Sequence, residues 1–153
     1  MIIKDSHARD TSFSRSVIAG AICGLIAALL NAVYDLFYRT TTGFESDKLI
    51  SPIPIFFAIP VFLIIAGVIF FEMVEFIKVG KILFTILFLG LTLVAIIIDL
   101  SQNGNRSALS GMGGLLLGIE ILTGLIIALL LPYLATHPRI FMENEEFSES
   151  VND

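Results

Sequence analysis

Four long apolar segments constrain this chain more than any other feature of its sequence. They cover residues 17–36, 53–73, 82–99 and 111–134, and polar stretches separate them. A helix rises about 1.5 Å per residue, so about 20 apolar residues cross the ~30 Å core of a bilayer. Because lipid offers no hydrogen bonds, backbone polar groups must be paired within each segment, as they are in a helix. The sequence therefore predicts an all-α fold, a bundle of four transmembrane helices.

The composition argues against a soluble protein and against several classes of function. Of 153 residues, 56% are hydrophobic and 15% are charged, too few polar side chains to cover a soluble core. The net charge is −5 and no basic stripe is present, so we predict no nucleic-acid partner. One cysteine, Cys23, and two histidines in opposite tails provide no metal-ligand spacing, so we predict neither a metal nor a cofactor.

The flanks of the apolar region divide the chain into three parts. We expect a mobile polar arm at residues 1–16, a transmembrane domain at 17–135, and a disordered acidic tail at 136–153. A cleaved signal peptide is the alternative for the first segment, but no small-residue cleavage site follows it, and we expect it to be retained.

Lysine and arginine are unevenly distributed between the two sides of the predicted bundle. One side holds Lys4, Arg9, Arg15, Lys78, Lys81 and Arg139, and the other holds Arg39, Lys48 and Arg106. Because cytoplasmic loops carry the excess of basic residues, we expect both termini in the cytoplasm and the protein in the cell (inner) membrane.

Small residues share one side of the first and the last segments at 100° per residue. The candidates for helix packing are Gly20, Gly24, Ala28, Gly114, Gly118 and Gly124. Membrane helices associate through close approach at small residues and through hydrogen bonds between helices. We therefore expect the first and fourth helices to pack closely on these faces, with Asn31 and Glu120 both directed inward.

Glu120 lies inside the last apolar segment, about 13 Å from its outer end. A charged carboxyl at such a depth costs about 2.5 kcal/mol or more, so Glu120 must be neutral, paired or sheltered from lipid. Asn31 lies about 7 Å from the outer end of its own segment. Together with Asp35 and Asp99, these residues are predicted to line a polar pocket that opens to the outer side, with Glu120 at its floor. Thr92 is a further polar candidate in the interior.

Two interpretations of Glu120 remain open. In one, it is a proton or cation site of a small channel or transporter. In the other, it is a protonated structural residue that hydrogen-bonds a neighbour such as Asn31 or Thr92. Asp35 can pair with Arg39 four residues later on the same helix. An enzyme is disfavoured, because the sequence contains no nucleophile motif or phosphate loop.

Four stretches carry a resemblance to a known group of proteins: AGAICGLIAALLNAVYDLFYR, PIPIFFAIPVFLIIAGVIFFEMVEF, KILFTILFLGLTLVAIII and GIEILTGLIIALLLPYL. The chain resembles an uncharacterised bacterial family of small four-span membrane proteins, whose last span often has a histidine near the position of Glu120. The resemblance implies the four-span topology and no particular activity.

We expect a non-enzymatic membrane protein that acts as a homo-oligomer or as an accessory subunit of a larger membrane assembly. Its predicted partners are the lipid bilayer and either further copies of itself or another membrane subunit. The alternative is a channel or transporter for protons or cations, with Glu120 as its ionisable site.

Overall fold

Helices account for nearly all of the chain that a computed structural model describes, namely residues 2–43, 52–103 and 112–137. The elements in chain order are α1 Ile2–Thr42, α2 Pro52–Phe76, α3 Gly80–Asn103, α4 Met112–Leu125, a π-helical turn Ile126–Leu130 and α5 Leu131–Thr136. The last three follow one another directly and form a single fourth span. The acidic tail predicted beyond residue 137 lies outside the described residues.

The prediction of an all-α bundle with four membrane-spanning helices is confirmed. The apolar spans are Ser12–Thr42, Phe56–Phe76, Gly80–Ser101 and Gly113–Thr136, each long and apolar enough to cross a bilayer. With four such spans in one chain, this is a multi-pass membrane protein.

Helix α1 is much longer than its apolar segment. It begins at Ile2, so residues 2–16, which the sequence assigns to a polar arm, are helical and continuous with the first span. No glycine or proline occurs before Gly20, so nothing in this stretch stops the helix. At the other end Gly43 adopts φ +66° and its N–H bonds the Arg39 carbonyl at 3.0 Å, which caps the helix six residues later than predicted.

Consecutive spans are neighbours in the bundle. Helix α1 makes its most extensive contacts with α2, α2 then packs on α3, α3 on α4, and the fourth span returns to α1. The side chains at the centre are apolar and fully buried, among them Cys23, Ala27, Leu63, Phe84 and Leu131. This up-and-down arrangement follows from short connections, such as the turn between α2 and α3.

The glycine face of α1 packs on α2, which corrects the expectation that it packs on the fourth helix. A Cβ added at Gly20 would lie 2.5 Å from the Leu63 carbonyl oxygen, and one at Gly24 would lie 2.7 Å from the Pro60 Cα. Gly67 of α2 completes the contact against the Ser16 carbonyl. The reason is that α2 presents bare backbone at these positions, which only glycine can approach so closely.

The fourth span is interrupted where Pro132 follows the π-helical turn. Proline has no N–H and its ring excludes the carbonyl four residues earlier, which belongs to Ala128. Just before the proline, the Leu131 N–H bonds the Ile126 carbonyl, which lies five residues back and not four as in an α-helix. The hydroxyl of Thr85 on α3 donates to the Ala128 carbonyl at 3.1 Å, so a neighbouring helix supplies the missing donor.

We expect Thr85→Val to lower the free energy of unfolding by about 1 kcal/mol, because the Ala128 carbonyl then loses its donor. The cost should shrink in a Pro132→Ala background, where the amide at position 132 can donate instead. Unfolding by SDS can be followed with a thiol-reactive dye, since the free Cys23 is buried.

The exposed Thr40 is a suitable control for this comparison, because its hydroxyl donates to the Phe37 carbonyl of its own helix. Thr40→Val should change the free energy of unfolding by the same amount in the native chain and in the Pro132→Ala background. If Thr85→Val lowers the free energy of unfolding equally with and without Pro132, then the Thr85 hydroxyl does not replace the donor that Pro132 lacks.

Candidate functional site

A pocket of about 310 Å³ lies between α2, α3 and the fourth span. Most of its wall is apolar, formed by Ile59, Phe62, Phe88, Leu91, Ala95, Ile119, Gly124 and Ile127. Its polar members are Thr92, Glu120 and Thr123. The sequence predicted a polar pocket, whereas the structure has an apolar pocket with a few polar groups on one side.

Glu120 is the acidic residue on the pocket wall. Its side chain is partly buried, and its Oε2 atom is fully buried without a hydrogen-bond partner among the described residues. Asp99 on α3 lies close enough for the two carboxyl groups to interact electrostatically. A buried carboxyl oxygen without a donor costs about 1–3 kcal/mol, so the position of this side chain is unfavourable for stability.

The two side chains expected to hydrogen-bond Glu120 donate to other acceptors. The Asn31 amide donates instead to the Thr123 hydroxyl at 2.9 Å, and the Thr92 hydroxyl donates to the Phe88 carbonyl of its own helix at 2.8 Å. The reason lies in the true end of α1, at Thr42. Asn31 is therefore about 16 Å from that end, the same depth as Thr123 from the start of α4 at Met112.

Asn31 is almost completely buried, with 4% of its surface exposed. Its Oδ1 atom, like Oε2 of Glu120, has no hydrogen-bond partner within the described part of the chain. In the described part of the chain, the interior therefore holds two acceptor oxygens without a donor, one on α1 and one on α4, and the bond from Asn31 to Thr123 joins the same two helices.

The glycines of α4 pack against tyrosine side chains of α1. Tyr38 covers Gly114 and Tyr34 covers Gly118, and the Tyr34 hydroxyl donates to the Gly114 carbonyl at 3.0 Å. Helices α1 and α4 therefore contact each other through the tyrosine rings of α1 and the glycines of α4. The third predicted glycine, Gly124, lies against Thr92 of α3.

The remaining candidates divide between packing and charge pairing. Ala28 is buried with 1% of its surface exposed. Asp35 accepts from the Arg39 Nε at 2.9 Å in an ion pair four residues apart, as the sequence predicted. Asp35 does not line the pocket.

Sequence reasoning missed Thr123, Tyr34 and Tyr38. Thr123 follows Glu120 by three residues and so shares its side of the helix, a signal that was available. The tyrosines are four residues apart and begin three residues after Asn31, but aromatic residues near a span end are equally typical of the membrane interface.

The described ranges contain no group of three His, Cys, Asp or Glu side chains that is placed to hold an ion. No known family, curated protein or solved structure matches this chain. The geometry of the described residues is therefore the basis for any functional conclusion.

Proposed function

We propose that this protein is a non-enzymatic membrane component that acts as a homo-oligomer or as an accessory subunit, with the outward side of α3 as its interface. In the proposed orientation both termini are cytoplasmic. The observation that carries the proposal is the position of Gly90.

Gly90 lies at the middle of the least buried span, on the side of α3 opposite Phe84 and Phe88. A Cβ added there would meet no atom within 4 Å among the described residues. Around it the helix surface is apolar and exposed, as at Ile86 and Ile97. A close neighbour covers seven other glycines of the described spans, namely Gly20, Gly24, Gly67, Gly80, Gly114, Gly118 and Gly124.

Glycine in a helix costs about 1 kcal/mol relative to alanine, and a lipid-facing glycine gains no packing in return. Small residues at membrane-helix interfaces allow two backbones to approach closely. An uncovered glycine in the centre of an apolar face is therefore typical of a helix whose neighbour belongs to another chain. This supports association through α3.

Cross-linking in the membrane tests the interface. In a Cys23→Ala background, Gly90→Cys is expected to form cross-linked species on oxidation, and Leu29→Cys is the matched control. Leu29 is also exposed on its helix and, like Gly90, lies about 20 Å from the outer helix end.

The mass of the product distinguishes the two forms of the proposal. A species of twice the chain mass indicates a homo-oligomer, and an adduct with a different membrane protein indicates an accessory subunit. Equal cross-linking at Leu29→Cys and Gly90→Cys, or none at either position, would contradict an interface at α3.

Proton or cation transport is the second candidate, and the buried Oε2 of Glu120 favours it. The apolar pocket wall weighs against it, because an ion path needs a series of polar groups. In liposomes, transport requires dissipation of a pH or cation gradient that Glu120→Gln abolishes. The accessory role predicts that neither protons nor cations cross the liposome membrane.

A further inference from the structure

We propose that the pocket between α2, α3 and the fourth span binds a small apolar amine, whose protonated nitrogen is held by Glu120. This inference is independent of the interface on α3, because Gly90 lies on the side of α3 that faces away from the pocket.

The shape of the pocket suits a small molecule from the bilayer. Its volume of about 310 Å³ is at the lower end of the range for ligand sites, about 300–1,000 Å³. Phe62 of α2 and Leu91 of α3 border it and are about half exposed, at 51% and 54%. An apolar molecule dissolved in lipid can therefore reach the pocket between these two helices.

The charges around the pocket select a cation. None of the described residues on its wall is basic, and its one ionisable group is Glu120. Phe62 and Phe88 place aromatic rings on the same wall, and ring faces attract cations. An anionic ligand would find the Glu120 carboxyl on this wall and no basic group among the described residues that line it.

The polar groups are too few for a bare metal ion but fit an amine. Calcium and magnesium take six or more oxygen ligands, whereas this wall offers one carboxyl and the hydroxyls of Thr92 and Thr123. An ammonium group on an apolar body needs one strong acceptor and otherwise apolar contacts. The carboxyl group of Glu120, which lines the pocket, supplies that acceptor.

Octylamine and its neutral isostere octanol are suitable probes. Binding of each to the full chain in lipid nanodiscs can be measured by equilibrium dialysis, with empty nanodiscs subtracted to remove partition into lipid. We expect octylamine to bind at least about tenfold more tightly than octanol, as a buried charge-assisted hydrogen bond provides. Glu120→Gln should abolish this preference.

Two further variants complete the test. Glu72→Gln changes an exposed carboxyl at the end of α2, away from the pocket, and should leave the preference unchanged. Ala95→Leu fills the pocket without touching the acid and should weaken octylamine binding about tenfold. This variant decides the question if Glu120→Gln does not fold.

Three results would overturn the proposal: equal affinity for the two probes, a preference that survives Glu120→Gln, or octylamine binding that is unaffected by Ala95→Leu. Equal affinity would identify the pocket as a site for acyl chains of the bilayer.

Discussion

Replacing Gly24 with valine is expected to separate α1 from α2 and to lower the free energy of unfolding by about 3 kcal/mol or more. Even the first added carbon would lie 2.7 Å from the Cα and 3.2 Å from the carbonyl oxygen of Pro60. Backbone atoms cannot rotate away as a side chain can, so the helices must move apart, and overpacking of this kind is costly. Unfolding in SDS, followed through Cys23, measures the loss.

Ala32 on the same helix is the matched control, because it is exposed and its replacement by valine adds bulk toward lipid. Ala32→Val should change stability by less than about 0.5 kcal/mol. If Gly24→Val unfolds at the same SDS concentration as Ala32→Val, the close contact between α1 and α2 is not the feature that holds this pair together.

Replacing Gly80 with alanine is expected to disrupt the turn between α2 and α3, with a loss of about 3 kcal/mol. A Cβ at this position would overlap the Met73 carbonyl and the Val74 backbone, while the Gly80 N–H bonds the Ile77 carbonyl at 2.8 Å. The turn is short and has no slack to absorb the extra atom. The same SDS titration gives the free energy of unfolding.

Gly118→Ala provides the comparison, because its close neighbour is the ring of Tyr34 and that ring can shift about its side-chain bonds. Alanine also favours the helix by about 1 kcal/mol, which offsets part of the crowding. We expect Gly118→Ala to cost less than about 1 kcal/mol. Equal losses for Gly80→Ala and Gly118→Ala would mean that backbone and side-chain neighbours resist an added carbon equally.

The number and type of the spans could be predicted because lipid leaves the backbone no alternative to helix over an apolar segment of this length. The extent of α1 could not, because residues 2–16 are polar and contain no helix breaker, which suits either a helix or a loose arm. Its outer end lies beyond the predicted end at Leu36 for a related reason: Arg39 and the three threonines that follow suit either a helix end or a loop, and the helix continues to the glycine cap at Gly43.

The partners of the glycine faces could not be predicted, since a stripe of small residues shows that a helix packs closely but not against which neighbour. Gly20 and Gly24 contact α2, and Gly118 contacts the ring of Tyr34. Glu120 could be singled out from its depth alone. Its surroundings depend on the relative depth of α1 and α4, which in turn depended on the misplaced end of α1.

The π-helical turn at Ile126–Leu130 has a consequence for the geometry of the fourth span. It holds one residue more than a regular α-helical turn, so the side chains beyond it are rotated by about 100° from the phase that Glu120 defines. Beyond the turn, Leu131 and Pro132 are buried while Tyr133 is exposed. The side chains before the turn and those after it therefore belong to two different helical phases. The direction in which a side chain points can be derived only from residues on the same side of the turn.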